Sequence, residues 1–228
     1  MPVILQYPDR ALQMRDLAEL VADQLIAALE TQAYATLVVP GGTTPGPFLT
    51  ALSKANLDWA RVRIMLSDER FVTEDSSRSN TRLLRETLFQ NNAKTAQLVP
   101  LTAPGNAPED VIDGLRAGID AALPIDVLVL GMGADMHTAS LFPGADQLDA
   151  ALADDAPSLM AMRAPGAAEP RLTLTAPVLR GAKNIHILIT GTEKKIALAT
   201  AFTEGPDNEA PIRVILSAPC PVDIHYAD

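Results

Sequence analysis

The chain has 228 residues, 48% apolar and 20% charged, with a formal net charge of −10 at pH 7. That is enough apolar material for one sizeable core burying roughly 70% of the unfolded surface, so one domain over residues 1–228 is expected. The acidic balance opposes nucleic acid and anionic membrane as partners, and no window approaches the ~18 apolar residues of a membrane span.

In chain order, residues 11–30 carry Met14, Leu17, Ala18, Val21, Leu25 and Leu29 at helical spacing, with Arg15, Asp16, Asp23 and Gln24 between them. Residues 36–40, TLVVP, form a short β-branched run that stops at Gly41-Gly42. Thr44 is then placed to cap a helix with Pro45 at its first position. VRIML at 62–66 repeats the pattern and runs into a charged loop, Ser67-Asp68-Glu69-Arg70. SSRSNTRLLRETLF follows as a helix with a serine or asparagine cap. IDVLVLGMG at 125–133 leads into a loop carrying His137, and NIHILIT at 184–190 turns at Gly191 into the helix TEKKIALATAF. A last strand, VDIHYA, closes the chain. Near-continuous apolar strands alternating with amphipathic helices imply an α/β fold, a mostly parallel sheet covered by helices on both faces. Such sheets bind ligands beyond the carboxyl ends of their strands, where each distinctive loop falls. Residues 142–171, with a weak strand SLMAMRA, read as an excursion from that plan.

The loops differ in chemistry. GGTTPG at 41–46 lets backbone N–H groups approach an anion at a helix start, and phosphate is the natural guest. No lysine follows it as a nucleotide-binding loop requires, and Met136 spoils a dinucleotide pattern starting at Gly131. Asp68 can orient or exchange a proton and Arg70 can pair with an oxyanion, although a solvated turn would look the same. His137 sits in a glycine-bounded loop after the most hydrophobic strand, where it can face a ligand, whereas His186 and His225 lie within strands and read as structural. Three histidines without short spacing and the single Cys220 speak against a metal site, and that lone thiol suits a reducing, cytoplasmic setting. Ser140 invites a nucleophile reading but lacks the Gly-x-Ser-x-Gly elbow. Arg171, Lys194 and Lys195 are the remaining cations near strand or helix starts that could hold a phosphate dianion.

Taken together, GGTTP, SDERFVTEDSSRSN, GMGADMHTASLFPG, RLTLT and TGTEKKIAL resemble the motifs of the 6-phosphogluconolactonase family, in that order. That family stands within the wider group of sugar-phosphate isomerases and glucosamine-6-phosphate deaminases. The resemblance implies the Rossmann-like fold of that group, no metal or organic cofactor, and hydrolysis of a sugar-phosphate lactone. It implies that the phosphate rests on Gly41, Gly42, Thr43 and Thr44, with Arg171 and Lys194 as countercharges. It further implies that His137, Asp68 and Arg70 surround the lactone. HTASLFP and Arg70 favour the lactonase over the deaminase, which remains the alternative beside a non-catalytic sugar-phosphate-binding module. Ala134 and Met136 depart from the family's usual proline and glycine, so the backbone at Met136 is expected to be either ordinary or strained.

Overall fold

The computed structural model describes residues 2–228. The first half of the chain forms β1 (Val3–Gln6), α1 (Arg10–Thr31), β2 (Ala35–Val39), α2 (Gly46–Leu52), β3 (Val62–Leu66), β4 (Asp68–Arg70), α3 (Asn80–Thr87), β5 (Gln97–Leu98) and α4 (Ile112–Asp120). The second half forms β6 (Val127–Gly131), α5 (Leu148–Leu152), β7 (Leu159–Met162), β8 (Arg171–Leu174), α6 (Ala176–Arg180), β9 (Asn184–Thr190), α7 (Thr192–Ala201), α8 (Arg213–Leu216) and β10 (Val222–Ala227).

Seven strands make a wholly parallel sheet in the order β1-β10-β9-β6-β2-β3-β5. Successive side chains of a strand point to opposite faces, and every residue of β2 is buried, so both faces of the sheet centre are covered. That explains why its sequence is a continuous apolar run. From β2 the chain moves outward through β3 and β5, then returns to lay β6 on the other side of β2. The strand order therefore reverses between β2 and β6, and loops leaving their carboxyl ends diverge there to open a crevice.

Two local expectations are corrected. Asp68–Arg70 is not a loop but a strand of a second, antiparallel sheet in the order β4-β8-β7, with Asp68 opposite Thr173 and Arg70 opposite Arg171. The partner strand comes from a hundred residues later, so nothing local marks the pairing. Thr44 does not cap α2: the N-cap position is Pro45, which has no hydroxyl to offer. Within residues 142–171, α5 and β7 form, and β7 is the far strand of that second sheet.

His186 and His225 lie on neighbouring strands and are buried, as their strand positions suggest. Tyr7 Oη stands 2.8 Å from His225 Nδ1, His225 Nε2 stands 3.1 Å from His186 Nδ1, and His186 Nε2 stands 2.8 Å from Gln24 Oε1. With Gln24 accepting, one tautomer of each neutral ring satisfies the whole chain, Tyr7 donating at the other end. Burial, reinforced by the mutual repulsion of the two rings, lowers His186 to about 3, and burial lowers His225 to about 4.

Candidate active site

A cleft of about 200 Å³ lies over the ends of β2, β3 and β6. It gathers Gly41, Gly42, Thr44, Asp68, Arg70, His137, Arg171 and Lys194, together with Asn80. Thr43 is the exception: it is exposed and lines a neighbouring dent with Arg10 and Thr190.

The glycine loop is shaped by Asn80. A Cβ on Gly41 would overlap the Asn80 amide, and Gly42 holds a φ of +84°, which a side chain would strain. Gly42 N–H donates to Asn80 Oδ1 at 3.3 Å, and Asn80 Nδ2 donates to the Asp68 carbonyl at 3.0 Å. Asn80 is itself fixed by Glu69, a fully buried carboxylate. Glu69 accepts from the N–H groups of Arg70, Asn80 and Thr81 at 2.7–2.8 Å and from the hydroxyls of Thr81 and Ser79 at 2.7 and 3.3 Å. A carboxylate at the first turn of α3 is also favoured by the helix dipole.

Three cations face the cleft. Arg70 and Arg171 are directly opposite each other across β4 and β8, an arrangement that repels unless an anion lies between them. Each has a buried Nε with no hydrogen-bond partner among the described residues. Burial pulls the Arg171 guanidinium below the usual arginine value, despite attraction from Asp68. Burial likewise pulls Lys194 below the usual lysine value, and Lys194 makes no ion pair among the described residues. Orphaned donors and desolvated cations in one place are the signature of an anion receptor. Lys195, its neighbour, points elsewhere, its Nζ lying 4.8 Å from the Tyr226 ring centroid.

The loop after β6 holds the histidine. Met136 has a φ of +65° and Ala139 a φ of +49°, so of the two possibilities at Met136 the strained one is realised. Each left-handed non-glycine residue costs on the order of 1 kcal/mol, concentrated here on both sides of His137. The loop is held by Met136 N–H donating to the Gly133 carbonyl and by Gly133 N–H donating to the His137 carbonyl, both at 3.0 Å. The Met136 carbonyl in turn accepts from Ile212 N–H at 3.1 Å. This turn brings Asp135 Oδ1 within 2.5 Å of His137 Nδ1, and the imidazole pulls the Asp135 carboxyl below the usual carboxylate range. With Nδ1–H committed to Asp135, Nε2 is left as the lone-pair nitrogen. The ring also lies against Phe142, centroids 4.0 Å apart.

Asp68 does not hold the histidine; no hydrogen bond joins them among the described residues. Its Oδ1 accepts from Ser67 Oγ at 3.2 Å, its Oδ2 accepts from Ser140 Oγ at 2.5 Å, and the same Oδ2 lies 3.6 Å from an Arg171 terminal nitrogen. The residues that sequence reasoning passed over are thus Asp135, Asn80 and Glu69. Asp135 was visible as Asp-x-His, but only the left-handed turn at Met136 folds it back on the ring. Among the described residues no group of three or more His, Cys, Asp or Glu is placed to hold a metal.

The model of the family described as glucosamine-6-phosphate isomerases/6-phosphogluconolactonase matches residues 8–222. Proteins named 6-phosphogluconolactonase from Mesorhizobium japonicum and Rhizobium meliloti are 44% and 42% identical to this chain. Those matches cover 97% and 92% of this chain and 93% and 94% of the relatives. The crystal structure of a 6-phosphogluconolactonase from Shewanella baltica is similar with a TM-score of 0.97 at 33% identity, over 100% of this chain and 98% of that one. A parallel sheet with its cleft at the strand-order reversal, matched along nearly the whole sequence in this way, places the chain in the glucosamine-6-phosphate isomerase/6-phosphogluconolactonase family.

Proposed function

We propose that the protein hydrolyses 6-phospho-D-glucono-1,5-lactone to 6-phospho-D-gluconate, a step of the pentose phosphate pathway. Residues 1–228 act as one lactonase domain, without metal or organic cofactor. The observation that carries this reading is the convergence of Arg70, Arg171 and Lys194, two of them with orphaned Nε donors, on a cleft that also holds His137. The phosphate is seated by the Gly41–Gly42 backbone, Thr44, Arg171 and Lys194, while the exposed Thr43 side chain stays outside the cleft.

His137 is the general base. Its Nε2 takes a proton from water as the water oxygen bonds to the lactone carbonyl carbon. The tetrahedral oxyanion is stabilised by the Arg70 guanidinium or by loop N–H groups. Collapse breaks the bond to the ring oxygen, which receives the proton from the imidazolium, and the new carboxylic acid releases its proton to solvent. Asp135 keeps the ring in the tautomer this requires and stabilises the imidazolium between the two transfers. Asp68 fixes the floor of the cleft and the approach of Arg171. Base catalysis of this kind supplies ~10² to 10⁴-fold, and a lactone is already hydrolysable, so base and positioning together suffice.

The helices of the described residues include none long and apolar enough to cross a membrane, and the lone cysteine fits a cytoplasmic enzyme. The test is formation of 6-phosphogluconate from freshly generated lactone, corrected for spontaneous hydrolysis. Ammonia release from glucosamine 6-phosphate in place of lactone turnover would assign the chain to the deaminase branch, and binding without turnover of either would leave a sugar-phosphate sensor.

A further inference from the structure

Ser140 is fully buried, lies three residues after His137 on the same loop, and has no part in the mechanism above. Its hydroxyl donates to Asp68 Oδ2 at 2.5 Å, while its N–H donates to Thr173 Oγ1 at 3.2 Å on β8. The oxygen that it occupies is the one nearest Arg171, 3.6 Å away. A direct charge-assisted bond between a guanidinium and a carboxylate closes to roughly 2.7–2.9 Å. At 3.6 Å Arg171 is attracted but not captured, and its Nε remains unpartnered, aimed at no protein acceptor.

We propose that Ser140 is a positioning residue that satisfies Asp68 so that Asp68 does not sequester Arg171 from the substrate phosphate. The inference rests on the reading that Arg171 is a phosphate countercharge. The logic is competition for one acceptor. Asp68 is buried and the Arg171 side chain is only 12% exposed, so an unopposed carboxylate would draw the guanidinium into a closed pair and withdraw its donors from the cleft. A hydroxyl, held by the Thr173 contact to its backbone, takes that place on Oδ2 without adding charge. Because Ser140 and His137 share one loop, the seat of the phosphate and the base are also registered to each other through three residues.

The experiment is calorimetric binding of 6-phosphogluconate, with gluconate as the control lacking phosphate, to the folded protein and its variants. Ser140→Ala is expected to weaken 6-phosphogluconate about tenfold, leave gluconate unchanged, and raise KM while sparing kcat. Ser140→Cys, a weak donor of similar size, should fall between. The decisive arm is Asp68→Asn. A neutral amide cannot capture Arg171, so in that background Ser140→Ala should have no further effect on phosphate-dependent binding, whereas a general packing defect would persist. An equal weakening in both backgrounds, or none in either, overturns the inference. Arg171→Met separates the two levels: if it binds 6-phosphogluconate as tightly as the parent, the phosphate seat itself is wrong; if it loses binding while Ser140→Ala does not, only the role of Ser140 fails.

Discussion

Alanine at Gly133 isolates the geometry of the proposed base, His137. Gly133 does not occupy the left-handed region, so alanine costs nothing in backbone strain there. An added Cβ, however, would sit against His137 Nδ1, His137 Cε1 and Asp135 Oδ1, all inside the 3.0 Å that real Cβ atoms essentially never approach. Ordinary contact begins at 3.4 Å, so the imidazole or its aspartate has to retreat by on the order of 1 Å. A displacement of that size at a reacting group costs roughly 10²-fold in rate, about 2.7 kcal/mol of barrier. The residues proposed to seat the phosphate lie on other elements, so KM should stay within about twofold. Stopped-time assays of 6-phosphogluconate formation, with spontaneous hydrolysis subtracted, read both parameters. In a protein already carrying His137→Ala, the glycine substitution should do nothing more, since the group it displaces is gone. A folded Gly133→Ala protein with the parent's kcat would refute the idea that the Asp135–His137 pair is the working unit.

His137→Ala should lower kcat by ~10² to 10⁴ at nearly constant KM, and near-normal turnover would remove it as the base. Asp135→Asn should cost about tenfold to a hundredfold, less than the ~10⁴ of a fully buried aspartate–histidine pair because Asp135 is half exposed. The buried His186 and His225 stay neutral in the fold down to about 3 and about 4, whereas in the unfolded chain they take up protons below roughly 6.5. Stability is therefore full above that value and falls with pH below it, by about 2 to 4 kcal/mol between pH 7 and pH 5; urea midpoints that do not change over this range would contradict the neutral chain. Glu69→Gln places an amide donor among five donors and should cost about 2 to 3 kcal/mol, read as a Tm lower by roughly 5–10 °C.

What the sequence disclosed and what it withheld divide along the range of the interactions involved. β3 and β9 form over the very residues of VRIML and NIHILIT, because a strand buried on both faces is written as a near-continuous apolar run. The carboxyl ends of those strands, and with them the cleft, follow from that alone. Asp68–Arg70 carries no such signature: three charged residues become a strand only because Arg171–Leu174 arrives beside them. The same pairing sets Arg70 opposite Arg171, which makes the proposed anion seat, and neither segment contains that information by itself. Asp135 escaped for a geometric reason, since here it meets the ring two residues on through the left-handed backbone at Met136, which the sequence does not announce. The methionine there marked the question without answering it. Thr43 and Thr44 looked equivalent, and only the path of the loop around Asn80 separates the one that lines the cleft from the one that does not.

The bond from Ile212 N–H to the Met136 carbonyl means that the His137 loop keeps its unfavourable backbone partly at the expense of a segment 76 positions away in the chain. Turnover in this enzyme is consequently exposed to variation well outside the substrate's reach. A drifting sequence that loosened the turn before α8 would relax Met136 toward ordinary backbone, swing Asp135 off the ring and slow the reaction while every residue lining the cleft stayed the same. A directed-evolution library confined to the cleft would miss that lever, and one that added residue 136 and residues 204–213 would find both slower enzymes and, through a glycine at 136, variants released from their dependence on that distant support.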